Sequence, residues 1–315
     1  MEEPSNNIKK IARENFESEE AQQLFVNCLL RGESISNALI WTREKPAESP
    51  FTEKAALPWQ APFVSHLEAN NNPGSHQLHH TGHYYCLDFS SVFEISVVQE
   101  VEIKPNFILD LCASPGGKSV FLSQYFHPEI LVCNEVIAKR HAQLISNLKR
   151  CRILSAVTGR DSKIFADEFP EAFDLVVVDA PCSGQSLIAR GNKSPGCFHP
   201  STINLNSNRQ KRILANASYV VVEGGYLAYM TCTYSVKENE AVVDWFLNKF
   251  PQYKAVEVPA MSEFQSQISD NHCYRLYPQQ GLGGGGFAAL FKREGEHNQN
   301  NYLNLDKLRL IYKNL

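Results

Sequence analysis

From residue 107 onward, apolar positions arrive in short, nearly unbroken runs at 107–112, 130–134, 153–158, 173–179 and 225–231. Runs of this length without polar alternation predict strands covered on both faces, as in the interior of a parallel sheet. Between them, apolar residues recur at helical spacing over 118–125, 138–149, 204–222 and 237–250. The last of these helices is predicted to open after Ser235 with Glu238 in its first turn. Near the end, 273–276 and 287–291 flank a glycine-rich link, which predicts an antiparallel hairpin. Strand and helix in alternation, closed by a hairpin, predict an α/β fold: a Rossmann-like, doubly wound sheet with an antiparallel edge.

Upstream the pattern changes. Residues 19–31 set Leu24, Phe25, Cys28 and Leu29 at helical spacing, and 34–42 predict a second short element. The polar stretch 68–82, with its Asn run and Pro73-Gly74, predicts a loop or boundary. The expected division is a small N-terminal α+β or helical domain (1–75), a larger α/β domain (76–293) and a C-terminal tail (294–315). A chain of 315 residues is long enough for this. Its net charge of −4 argues against a globally basic nucleic-acid binder but leaves room for local patches. There is no apolar stretch of bilayer length, and Met1-Glu2-Glu3-Pro4 lacks a signal-peptide pattern. Nine cysteines, an odd number with no Cys-x-x-Cys pair, fit a reduced, cytoplasmic compartment better than a disulfide framework.

The chemistry sits at the predicted strand ends, which border the ligand crevice of a doubly wound sheet. Cys182 follows the run ending at Asp179, and Cys232 follows the run ending at Thr231. A cysteine taken at random is more often a small buried apolar group. Two thiols brought to one crevice point instead to nucleophilic chemistry. The first strand leads into Ala113-Ser114-Pro115-Gly116-Gly117-Lys118, where the glycines let backbone approach a ligand at a helix's positive end. Cys112 stands where a Walker A loop needs its first glycine, so a phosphate loop is disfavoured. Glu135, eighteen residues past Gly117, lies where a carboxylate grips ribose hydroxyls. Asp161 is placed to hold an adenine amine, and Arg140 to act as a nearby contact. Any one of these acids reads equally well as a solvated loop carboxylate. Glu135, Asp161 and Asp179 at successive strand ends favour a shared site.

Three ordered strings carry a resemblance: Asp110-Leu-Cys-Ala-Ser-Pro-Gly-Gly-Lys118, Asp179-Ala-Pro-Cys-Ser-Gly184, and Thr231-Cys-Thr233 followed by Glu238-Asn-Glu240. Together they resemble the RNA cytosine-5 methyltransferase family (Sun/Fmu-like) over about residues 80–293. Pro58-Trp59, Pro73-Gly74, His76, His79-His80 and Gly82-His-Tyr-Tyr85 resemble the small-subunit ribosomal RNA branch. Ser114, Ser119 and Gln185 depart from common family choices without removing a reacting group, and the branch's extra C-terminal RNA-binding domain has no counterpart after Arg293. The resemblance implies a class I methyltransferase sheet using S-adenosyl-L-methionine, held by Cys112, Ala113, Ser114, Pro115, Gly116, Gly117, Lys118, Glu135, Arg140, Asp161 and Asp179. It assigns Cys232 as the nucleophile on cytosine carbon 6, Cys182 to assist release, Asp179 to the base edge, and Lys118 beside both. RNA is the implied partner, ribosomal in first place and transfer RNA in second, with the 1–75 segment helping to position it. A monomer without metal or membrane is expected.

Other signals weigh less. His76, His79, His80 and His83 lack the cysteine pair or acid that a zinc site needs. Gly283 to Gly286 precede no predicted helix and read as a hairpin link. The basic clusters at 149–152 and 209–212 read as solvated faces. A DNA cytosine methyltransferase would use Cys182 as nucleophile and would not need Cys232. A noncatalytic RNA-binding assembly factor would not need both thiols and all three acids.

Overall fold

The computed structural model describes residues 3–69, 71–297 and 303–315. Position 70 of the polar stretch and positions 298–302 of the expected tail lie outside them. Two helices open the chain, α1 (Asn6–Asn15) and α2 (Glu19–Arg31). Ser5 and Ser18 cap them by accepting the N–H of Ile8 and Ala21. The next strand, β1 (Asn37–Trp41), is the middle of a small antiparallel sheet with β2 (Val64–His66) and, after the one-turn helix α3 (Gln77–His80), β3 (Tyr84–Asp88). This sheet runs from Asn37 opposite Asp88 to Trp41 opposite Tyr84, so it extends past the boundary expected at 75/76. The pairing joins residues about fifty apart in sequence, and no local composition shift marks it.

Asp88 caps α4 (Phe89–Ser96), and the central layer follows. In chain order it comprises β4 (Phe107–Asp110), α5 (Gly117–Phe126), β5 (Ile130–Asn134), α6 (His141–Arg150), β6 (Ser155–Thr158), α7 (Ser162–Glu168) and β7 (Phe173–Asp179). It continues with α8 (Ser186–Ala189), α9 (Pro200–Ser218), β8 (Val221–Thr231), α10 (Glu240–Lys249), β9 (Tyr253–Ala255), β10 (Tyr274–Leu276), β11 (Gly286–Arg293) and β12 (Tyr312–Asn314). The strand order is β10-β11-β8-β7-β4-β5-β6-β12, with β9 also on β11. Strands β4 to β8 pair in parallel, β11 runs antiparallel to β8, and β12 runs antiparallel to β6. This is the expected Rossmann-like sheet with its closing hairpin. The tail read as a separate segment contributes its last strand to the sheet edge.

Alternate residues of the buried strands enter different cores. Leu175 and Val177 of β7 pack with Ile108, Cys133 and Ala228 on one face. Val176 and Val178 pack with Leu109, Val132 and Leu227 on the other. Both faces are covered, which is why these runs carry no polar alternation. The order reverses between β4 and β7, and the crevice beyond the carboxyl ends of strands at such a point is the expected ligand site. Helix α9 starts at Pro200, four residues before the predicted start, because proline suits the first helical position and the His199 side chain caps the Ser201 N–H. It ends at Ser218 because Val221 already pairs with Phe173 across an irregularity in β7.

Candidate active site

Strands β7 and β8 are parallel neighbours, with Asp179 opposite Met230. The loops leaving their ends therefore run side by side. Cys182 Sγ lies 3.2 Å from Cys232 Sγ. Both loops are braced by the turn before α10. The Ser183 N–H (2.9 Å) and hydroxyl (2.6 Å) donate to the buried Glu238 carboxylate, as does Gln210 Nε2 (3.0 Å). Asn239 accepts from the Thr231 hydroxyl and donates to Thr233 O. Gln185 joins the two loops again, accepting the Tyr234 N–H and donating to Cys197 O. The thiols are unequal. The hydrogen bond from Cys182 draws the Cys232 thiol below its ordinary range against burial and Asp179, with Arg190 and Lys118 assisting. Donating that bond, together with burial, holds Cys182 well above its ordinary range. The two shifts favour the thiolate on Cys232 over one on Cys182.

Lys118 lies beneath this pair. Its Nζ is 2.7 Å from Asp179 Oδ2 and 2.6 Å from Glu94 Oε2, both ion pairs. Burial alone would lower the ammonium, but Asp179, joined by Glu94 when that carboxyl is ionised, outweighs it and holds it charged. Glu94 is 1% exposed. Burial pushes its carboxyl up to about 8, only partly offset by Lys118. Glu94 is the residue that sequence reasoning missed. The available signal was a lone acid within the apolar string of α4, and a glycine at 286 on whose Cβ the carboxylate would collide. Asp179 keeps its side chain 32% exposed and faces the crevice mouth.

The glycine loop, Glu135 and Arg140 meet at the ends of β4 and β5. Gly116 caps α5 in the left-handed region at φ 112, where a side chain is disfavoured. Gly117 packs so closely that an added Cβ would stand 3.0 Å from the Tyr85 ring. Glu135 is buried, accepts the Ile137 N–H at 2.8 Å and forms a 2.9 Å ion pair with Arg140. Arg140 in turn donates to Ser114 O at 2.5 Å, tying the acid to the loop. Asp110 at the end of β4 accepts from the Ser119 hydroxyl at 2.6 Å, and burial pushes it up to about 7. Ala113 is buried, and burial raises the half-buried Cys112 thiol well above its ordinary range. Asp161 stands apart: it caps α7 through the Lys163 N–H and pairs with Arg212 at 3.1 Å. Burial would raise it, but the Lys163 N–H and Arg212 hold it below the usual carboxylate range.

The histidine string and the basic clusters have local partners. His76 caps α3, and Arg150 donates to His79 O and Tyr84 O. Lys149 lies over the Tyr312 ring and Lys211 over Trp245. Among the described residues no helix is long and apolar enough to cross a membrane.

A family model described as "16S rRNA methyltransferase RsmB/F" matches residues 99–292. Ribosomal RNA small subunit methyltransferase F of Klebsiella pneumoniae is 31% identical over 200 residues, 62% of this chain and 41% of that protein. The mitochondrial tRNA (cytosine(34)-C(5))-methyltransferase of Danio rerio is 36% identical over 217 residues, 65% of this chain and 58% of its own. The chain thus spans about half the length of these curated relatives. Two solved structures from Pyrococcus horikoshii share the fold. A methyltransferase homolog has a TM-score of 0.71 at 21% identity, covering 92% of this chain and 100% of its own. NSun6 with SFG has a TM-score of 0.71 at 16% identity, covering 93% and 99%.

Proposed function

Because the chain belongs to the 16S rRNA methyltransferase RsmB/F family, we propose that it transfers a methyl group from S-adenosyl-L-methionine to carbon 5 of a cytosine in RNA. The observation that carries this reading is the pair of unequal thiols 3.2 Å apart at the ends of β7 and β8. The cofactor fits the other half of the crevice. Gly116, at φ 112, turns the backbone at the positive end of α5, Glu135 offers a carboxylate to a ribose diol, and Asp161 would reach an adenine amine on releasing Arg212. When bound, the cofactor supplies an electrophilic methyl carbon.

Cytosine carbon 5 is too weak a nucleophile to attack that methyl unaided. The Cys232 thiolate adds to carbon 6, and the ring electrons become available at carbon 5. Negative charge then develops toward N3. Asp179, with its exposed edge, accepts from the exocyclic amine of the base, and the Lys118 ammonium that anchors the carboxylate offsets the charge developing at N3. After methylation the carbon 5 proton is lost to solvent through Cys182, whose thiol takes it up as it gives its own proton to water. The bond from Cys232 to carbon 6 then breaks and the thiolate leaves. The base must be out of its stack for carbon 6 to meet a thiol, which favours a loop or junction as substrate.

Ribosomal RNA is the first reading of the substrate, following the family. Transfer RNA is the second, favoured by the 36% identity to the Danio rerio enzyme. Adduct trapping tests the chemistry. With labelled cofactor and RNA, Cys232→Ser loses methyl transfer and forms no covalent complex. Cys182→Ala instead accumulates an RNA-linked species that survives denaturing electrophoresis. Attack retained in Cys232→Ser and lost in Cys182→Ala would reverse the two roles. Mapping the labelled cytosine decides between the two RNAs.

A further inference from the structure

The loop that carries Cys182 ends on a cation that pairs with no carboxylate among the described residues. Arg190 is the half-buried residue after α8. Its Nε is sealed from solvent with no acceptor. Its guanidinium makes no ion pair with any described residue, whereas the other buried cations around the crevice are matched: Lys118 with Glu94 and Asp179, and Arg275 with Glu240. An N–H that gives up water without gaining an acceptor costs free energy, and the rest of the half-buried guanidinium makes no hydrogen bond with a described residue. Its outer N–H groups are therefore left for a ligand.

The surroundings say which ligand. The Ser186 N–H donates to Cys232 O at 3.2 Å, so α8 lies against the nucleophile's own loop. The Tyr234 hydroxyl donates to Gly284 O, bringing the glycine run 283–286 to the same place. A Cβ on Gly284 would stand 2.7 Å from Arg190 Cγ and 2.9 Å from Ser186 O. That run, which a hairpin link alone does not explain, is the floor on which the Arg190 stem rests. Asp88, across the run, is already occupied by the N–H groups of Ser36, Ser90 and Gly284 and by the Ser90 hydroxyl. The cofactor half of the crevice lies over β4 and β5, on the other side of Asp179 from the β8 and β11 edge where Arg190 sits.

We propose that Arg190 receives a backbone phosphodiester of the RNA strand adjoining the base that enters the cysteine pair. A planar guanidinium matches phosphate with two parallel hydrogen bonds, and it adds positive charge beside the thiolate. This deepens the RNA reading above and rests on it.

The test uses the full chain and a labelled single-stranded RNA containing cytosine, titrated from about 50 to 200 mM salt. Arg190→Gln weakens binding about tenfold at low salt, and lowers the slope of log affinity against log salt by about 0.7. Arg190→Lys retains the slope, since it keeps the charge, while losing part of the affinity. Lys249→Gln, exposed in the last turn of α10, changes neither. Calorimetric affinity for S-adenosylmethionine stays constant across the set and reports an intact fold. Should the Gln variant lose it, the Lys variant carries the comparison. A slope unchanged in Arg190→Gln, or reduced equally in Arg190→Lys, overturns the proposal. Wild-type protein that methylates RNA with a slope indifferent to position 190 overturns this proposal alone. Wild-type protein that neither binds nor methylates RNA overturns the RNA reading with it.

Discussion

Two carboxyls in this site are held toward their neutral forms. Burial pushes Glu94 from 4.5 up to about 8 and Asp110 from 3.8 up to about 7. Both therefore bind protons in the folded chain at pH values where the unfolded chain has released them. Stability from this source is fully present below about pH 4 and is lost as pH rises through 7 and 8. The melting temperature should fall between pH 6 and pH 9. Glu94→Gln, which keeps the shape without the titration, should flatten that fall by a few degrees in scanning calorimetry. An equally steep fall in the variant would place the effect elsewhere. Lys118 was legible because it directly follows two glycines at a strand end. Glu94 was not, because its contact with Lys118 arises only where α4 packs on α5, twenty-four residues apart with no shared pattern.

Among the elements, the loops after β7 and β8 depend on one turn. Glu238 takes three hydrogen bonds from residues that hold the Cys182 loop, and Tyr229 fixes its backbone by donating to Glu238 O at 2.6 Å. Removing a buried acceptor leaves its donors unsatisfied, at about 1–3 kcal/mol. Glu238→Ala should free the Cys182 loop and lengthen the contact between the two sulfurs. Cys232 would then lose the donor that favours its thiolate, so iodoacetamide should modify it several-fold more slowly at pH 7. Wild-type reactivity in that variant would show that the loop holds its place without Glu238. The two strands themselves were readable from their apolar runs, and β7 has the predicted ends. The turn was not: Glu238 and Asn239 were expected inside a helix from 237, yet α10 begins at Glu240 because both side chains fold back onto the loops.

For the molecule as a whole, segments remote in sequence close on the site. Phe25 of α2 meets the Tyr234 ring edge-on at 5.0 Å, so the N-terminal helices pack directly on the Cys232 loop. Nothing in the spacing of either segment announces that contact; it is a product of tertiary packing. The same holds at the other edge. Strand β12 carries Tyr312, Lys313 and Asn314 with little burial and pairs antiparallel with β6, with Tyr312 packed against the core, so no apolar period marks it. What anchors it lies just before: Leu303 and Leu308 are buried, the Thr158 hydroxyl donates to Leu308 O at 2.8 Å, and Arg160 donates to Lys307 O at 2.5 Å. Burying two leucines contributes roughly 3–6 kcal/mol at 1.5–3 each. Deleting 303–315 should therefore lower the melting temperature by about 10 °C. It would also leave the backbone of β6 unpaired at the sheet edge, an opening for association between copies. Light scattering should then show higher-mass species where the full chain shows none added by concentration. The Cys182–Cys232 end lies across the sheet, four strands from β12 in the order β8-β7-β4-β5-β6-β12 when counted from β7. Methyl transfer measured below the new melting point should accordingly persist. A deletion that melts at the wild-type temperature, or that kills transfer while still folded, would mean that β12 does not act as an edge cover remote from the thiols.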